Sequence, residues 1–197
     1  MRRHKSGGSE APRELVPFEL VERCKKGDEV AWAELVEATH REVYSLCLRI
    51  LRDPDDAAEA TQDAYLKAWR ALGTFRGDAM FTTWMYRVAA NSAISKQRRR
   101  KRKREHEVSA DDEMVSQLPS TASTEALAGA RIELEAVEAA LQSLPEHYRS
   151  AIVLRDVYGL SMDEVAKQLK ITETAAKVRV HRGRKKLKEL VTSEPEE

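Results

Sequence analysis

The apolar residues of this 197-residue chain recur at helical spacing almost throughout, and no segment alternates apolar with polar residues as a half-buried strand would. An all-α fold follows. Gly27 stops a first helix over residues 18–26, and Asp28 can cap a long second one whose stripe is Trp32, Leu35, Val36, Val43, Leu46, Cys47, Ile50 and Leu51. Asp53-Pro54 breaks it, because proline disfavours a helical residue before it. A third helix, over residues 55–72, is expected to bury Thr61, Tyr65, Ala68, Trp69 and Leu72; Gly73 closes it, and Phe75-Arg76-Gly77-Asp78 reads as a loop. A fourth starts near Thr82 or Thr83 and runs through Trp84, Val88 and Asn91 into a basic run.

That run sets the organisation. Residues 96–104 carry eight Lys/Arg and no acid, and residues 170–188 carry eight against the single acid Glu173. The other 169 residues have a net charge of −14, which the whole-chain value of +1 hides. Each run ends an apolar-periodic segment, so two separate polyanion-binding surfaces are the simplest reading, against the alternative of solvated faces. Between 105 and 127 periodicity fades into Ser, Thr, Asp and Glu, the composition of a flexible acidic linker that cannot bury a core. The expected division is a disordered N-terminus over 1–14, a helical domain over 15–104, the linker, a second helical domain over 128–192, and a tail over 193–197.

The second domain opens on a helix with Ile132, Val137, Ala140 and Leu141, ending near Leu144-Pro145. Pro145 suits the first turn of the next helix, which reaches Tyr158 and stops at Gly159. Ser161-Met162-Asp163-Glu164 is a capping box opening a short helix to Leu169. Lys170-Ile171-Thr172 forms a tight turn, and a long basic helix follows, so the three parts make a helix-turn-helix. At 100° per residue Ala176, Val180, Gly183 and Leu187 share its buried face. Thr174, Lys177, Val178, His181, Arg182 and Lys185 lie opposite, flanked by Arg179 and Arg184. Lys177 and Arg182 can donate to guanine O6 and N7, Val178 can touch a thymine methyl, and the flanking cations can hold phosphates. Gly183, unfavourable within a helix by about 1 kcal/mol, implies close backbone packing.

No apolar run approaches the length of a membrane span, and the first twelve residues are basic and polar, so a soluble cytoplasmic protein is the expectation. Cys24 and Cys47, at apolar helical positions, read as reduced core thiols; with His40 they lack paired metal-ligand spacing, so neither metal nor cofactor is expected.

The residues resemble a known family across nearly the whole chain: bacterial RNA polymerase sigma factors of the sigma-70 family, extracytoplasmic-function (ECF) type. The resemblance rests on Asp56-Ala57-Ala58-Glu59-Ala60-Thr61-Gln62-Asp63-Ala64-Tyr65-Leu66-Lys67-Ala68-Trp69, Phe75-Arg76-Gly77-Asp78 and Thr83-Trp84-Met85-Tyr86-Arg87-Val88-Ala89-Ala90-Asn91 for region 2. For region 4 it rests on Leu144-Pro145-Glu146, Gly159-Leu160-Ser161, Glu164-Val165-Ala166 and Lys177-Val178-Arg179-Val180-His181-Arg182-Gly183-Arg184. It implies a non-enzymatic transcription-initiation subunit. Glu59, Gln62, Asp63 and Leu66 would meet the clamp helices of the polymerase β′ subunit, and region 4 the β flap. Phe75, Arg76 and Asp78 would hold a base flipped from the minus 10 element, Trp84 would stack at the edge of melting, and Arg87, Asn91, Lys96, Arg98 and Arg99 would hold the strand and upstream duplex. The final helix would read the minus 35 element, and the linker would thread the RNA exit channel. Partners so implied are core polymerase, promoter DNA and, as for many relatives, an anti-sigma factor, with the protein a monomer outside the holoenzyme and not inserted in membrane.

Several positions depart from the family pattern, which usually has an acid at Ala58 and an Asp at Ser95, and often Gly, Thr and Ser at Thr174, Ala175 and Val178. Promoter sequence is therefore poorly transferable. A stand-alone helix-turn-helix regulator explains the second domain but not the first. A recombinase-like enzyme lacks both a carboxylate metal cluster and a nucleophile-plus-arginine constellation.

Overall fold

The computed structural model describes residues 16–107 and 128–192, with side chains for 16–105 and 134–192. The described residues form eight α-helices and no strand. The expected N-terminal, C-terminal and linker segments lie outside them, save that the fourth helix passes the expected boundary at 104.

In the first domain, α1 (Phe18–Lys25) precedes Gly27, whose φ of +83° turns the chain where a side chain would be strained. Helix α2 (Glu29–Leu51) starts at Asp28, whose side chain accepts the Ala31 N–H at 2.9 Å. Asp53 caps α3 (Pro54–Ala71) in the same way, accepting the Asp56 N–H at 2.8 Å, with Pro54 in the first turn, where the absent N–H costs nothing. A 3-10 turn, Leu72–Thr74, leads to α4 (Phe81–Glu107). The face that α3 buries is mostly small, Ala57, Ala60, Ala64 and Ala68, so α2 and α4 can approach it closely. Their larger residues, Leu35, Leu46, Ile50, Phe81 and Met85, fill the space between. Both cysteines are buried free thiols, as expected, and burial pushes Cys47 up to about 11.

Trp69 corrects the expectation that it joins the core: it is 40% exposed. It shares the helical period of Tyr65 but stands at the edge of the α2–α3 contact, with Trp32 against it, ring centroids 4.9 Å apart.

The second domain comprises α5 (Ala128–Ser143), α6 (Glu146–Ile152), α7 (Met162–Leu169) and α8 (Glu173–Thr192). Pro145 sits just before α6 as its N-cap rather than inside its first turn. After α6 the chain continues as a π-helical turn, Val153–Val157, in which the Tyr158 N–H donates to Val153 O at 3.1 Å. The capping box of α7 is complete: Ser161 Oγ accepts the Glu164 N–H and Glu164 Oε2 accepts the Ser161 N–H. Lys170, in the left-handed conformation at φ 53°, makes the tight turn into α8.

The two domains pack directly on one another. Tyr158 donates to Glu42 O at 3.2 Å and accepts from Arg49 Nη1 at 3.1 Å, while Arg49 Nε also reaches Glu138. Burial raises the Tyr158 hydroxyl well above its ordinary range, so it remains a donor at any neutral pH. Farther along, Arg98 donates to Gln168 O, Gln168 Nε2 donates to Arg87 O, and Arg87 pairs with Glu164.

Candidate nucleic-acid interface

Helix α8 presents the face its sequence implies. Ala176, Val180 and Gly183 are buried and Leu187 half-buried, while Thr174, Lys177, Val178, His181, Arg182 and Lys185 are exposed and Arg179 is half-buried. A Cβ on Gly183 would lie 2.9 Å from Ile152 Cγ1 and 3.3 Å from Tyr148 Cβ, so the missing side chain is what allows α8 to seat on α6. Lys177 lies 2.7 Å from Glu173 in an exposed pair. Arg184 makes a two-pronged ion pair with Asp156, at 2.5 and 2.9 Å, which anchors it to the π turn instead of leaving it free beside the exposed face.

The first domain divides its predicted residues. Phe75 is 7% exposed and packs against Phe81 and Trp84 at 5.6 and 5.5 Å, with Lys25 Nζ over its ring at 5.4 Å. Trp84 is half-buried in the same cluster, whereas Arg76 and Asp78 are exposed on the loop above it. Asn91 and Arg99 are exposed. Lys96 is held between Asp56 at 3.0 Å and Glu59 at 2.5 Å, its side chain only 14% exposed, so it clasps α4 to α3. Arg87 and Arg98 are turned to α7, as described above.

On the opposite side of α3 lies an open apolar groove of about 760 Å³. Gln62 and Leu66 line it with Trp69. Of the other two predicted polymerase contacts, Glu59 is exposed and paired with Lys96, and Asp63 lies 3.8 Å from Lys67. Sequence reasoning missed the wall that α2 contributes: Trp32, Val36, His40 and Tyr44, spaced four apart, form one stripe, with the His40 and Tyr44 rings stacked 6.2 Å apart. That spacing was the available signal. Among the described residues no three His, Cys, Asp or Glu side chains gather as metal ligands, and no helix is long and apolar enough to cross a membrane.

Comparison with known proteins matches two stretches of the chain. The family described as Sigma-70 region 2 matches residues 35–103, and Sigma-70, region 4 matches residues 134–187. RNA polymerase sigma-H factor of Pseudomonas aeruginosa is 37% identical over 172 residues, covering 84% of this chain and 89% of its own. ECF RNA polymerase sigma factor SigW of Bacillus subtilis is 31% identical over 182 residues, covering 89% and 96%. Among solved structures, CnrH in complex with the cytosolic domain of CnrY aligns with a TM-score of 0.54 at 25% identity, over 88% of this chain and 95% of that one. The sigma factor RpoE of Bartonella quintana, solved with the anti-sigma factor NepR, shares the fold with a TM-score of 0.61 at 22% identity, over 82% and 97%. The chain belongs to the sigma-70 family, as an RNA polymerase sigma factor of the extracytoplasmic-function group.

Proposed function

We propose how this sigma factor, a transcription initiation factor that directs core RNA polymerase to promoters, divides its task among its surfaces. The observation that carries the reading is α8: Lys177, Val178, His181 and Arg182 are exposed on one face while Ala176, Val180 and Gly183 lock the other. A helix so held can lie in a major groove with its N-terminal half against base edges, and we assign it the minus 35 element. Thr174, Arg179 and Lys185 flank that face as phosphate contacts; Arg184, held by Asp156, orients the helix.

The first domain takes the minus 10 element. Phe75 forms the floor and Arg76 and Asp78 the exposed rim of a site for an unstacked base, with Trp84 beside it; Asn91 and Arg99 hold the strand. Arg87 and Arg98 join them when α7 moves away. The groove between α2 and α3 takes a helix of the polymerase clamp, by apolar contact with Leu66, Trp69 and Trp32 and polar contact with Gln62; Glu59 and Asp63, on α3 outside the groove, add charge beside it. RNA synthesis itself stays with polymerase in the cytoplasm, and this chain contributes no catalytic group. An anti-sigma protein is a further partner, as NepR is for the sigma factor RpoE of Bartonella quintana.

Run-off transcription from fragmented host DNA, by core polymerase with and without the protein, tests this. Protein-dependent transcripts sharing two upstream elements are expected; tight specific duplex binding by the free protein, with no transcripts, would instead favour a stand-alone regulator.

A further inference from the structure

Where the end of α2 and the basic stretch of α4 meet the α5–α6 junction there is a second cleft, of about 740 Å³. Arg52, Arg100, Lys101, Arg104 and Arg149 line it against two acids, Asp53 and Glu146. Asp53 is engaged, with Asp56, by Arg100, at 3.9 and 3.1 Å. Lys101 has only a distant pairing with Glu105 at 3.9 Å, and Arg52 and Arg104 pair with no acid among the described residues.

Arg149 is the unusual member. It is 5% exposed, yet its guanidinium meets no carboxylate: Nη1 donates to Leu144 O at 2.8 Å, Nη2 to Ile50 O at 3.2 Å, and the buried Nε has no partner. Carbonyls at the end of a helix offset part of a cation's desolvation but leave its charge unneutralised. Burial, and then the neighbouring Arg52, push Arg149 down to about 10, and the nearby Glu146 carboxylate, which makes no ion pair with it, offsets only part of this. Burial, followed by Arg179, also lowers His147 on the same wall, so it adds no further positive charge at neutral pH.

We propose that this cleft binds a small oligophosphate, the linked phosphates of a nucleoside di- or triphosphate or of inorganic tripolyphosphate, with Arg52 and Arg104 from the first domain and Arg149 from the second as its ligands. Guanidinium forks match phosphate oxygens two at a time, and the volume suits a nucleotide-sized molecule while excluding a duplex. None of its three arginines is among the residues assigned above to promoter DNA, although Arg104 lies in the same basic run as Arg98 and Arg99.

Isothermal titration of the full chain at near-physiological salt, with tripolyphosphate, ATP and GTP as separate probes, tests it. Saturable one-to-one binding is expected. A variant with Arg52→Gln and Arg104→Gln together, both outside the buried core, is expected to weaken it about tenfold or more. Arg102→Gln with Lys186→Gln, exposed and outside the cleft, is expected to leave affinity unchanged. Tighter binding of a nucleotide than of tripolyphosphate would make the nucleotide the ligand; equal binding would make the phosphate chain sufficient. No saturable binding, or an equal loss in both double variants, would overturn the proposal, as would binding that appears only with DNA oligonucleotides.

Discussion

Arg87 of the first domain and Glu164 of the second form an ion pair across the domain contact, so a residue assigned to promoter DNA is held by the helix-turn-helix in the free protein. Both side chains are partly exposed, at 35% and 24%, which limits the pair to about 1 kcal/mol or less. Glu164→Gln removes the charge while keeping a residue that can complete the capping box. The free variant should bind a single-stranded minus 10 oligonucleotide about two- to fivefold more tightly, by fluorescence anisotropy. Unchanged affinity would mean that Glu164 does not compete with DNA for Arg87.

Gly183→Ala tests the seat of α8. Alanine gains about 1 kcal/mol of helix propensity, but its Cβ would stand 2.9 Å from Ile152 Cγ1, an overlap of the kind that costs about 1–3 kcal/mol. A net loss near 1 kcal/mol is expected, read as a fall of about 2–4 °C in Tm by calorimetry. A rise in Tm would show that Ile152 yields without cost.

Asp56 joins α3 to α4 through Lys96 and Arg100, at 3.0 and 3.1 Å. Burial disfavours its charge, but those two cations outweigh it and hold the carboxyl below its ordinary value. A carboxyl so lowered stabilises the fold at pH above its unfolded-state value, and the contribution disappears as pH falls through the folded one. Asp56→Asn should therefore cost about 1–2 kcal/mol at neutral pH, and the difference from the unmodified protein should shrink below about pH 3. Urea unfolding at both pH values measures it; an equal loss at both would assign the effect to packing.

Local chemistry was legible in the sequence where it acts within a few residues. The caps at Asp28 and Ser161 and the breaks at Gly27 and Gly159 satisfy their own backbone neighbours, so nothing distant can override them, whereas Asp53 was read only as a break and caps α3 as well. The buried face of α8 was equally legible, because its periodicity and Gly183 agree. Trp69 was not: a helical period tells which residues share a face, and how far a neighbouring helix covers that face depends on packing. Arg149 carried no signal at all, since a helical arginine reads as surface until the end of α2 supplies the carbonyl that buries it. The change of composition after Arg104 put the start of the linker at 105, but pairs such as Lys101 with Glu105 sit within a helix continuing to Glu107.

The proposed reading of the minus 35 element gives the residues along α8 separable roles. Lys177 and Arg182 are exposed with nothing packed over them, and the pairing of Lys177 with Glu173 is a surface one that DNA can displace at little cost. If each donates to a guanine edge, Lys177→Ala and Arg182→Ala should each weaken holoenzyme binding by about 1–3 kcal/mol on a promoter with its minus 35 element, and far less on one where that element is scrambled. Lys185→Ala, removing the proposed phosphate contact, should weaken both promoters alike and lower the salt slope of log K by about 1. Competition binding of the reconstituted holoenzyme across a salt series distinguishes the two patterns. Equal losses on both promoters for all three variants would reduce α8 to an electrostatic anchor and move minus 35 specificity elsewhere on the second domain.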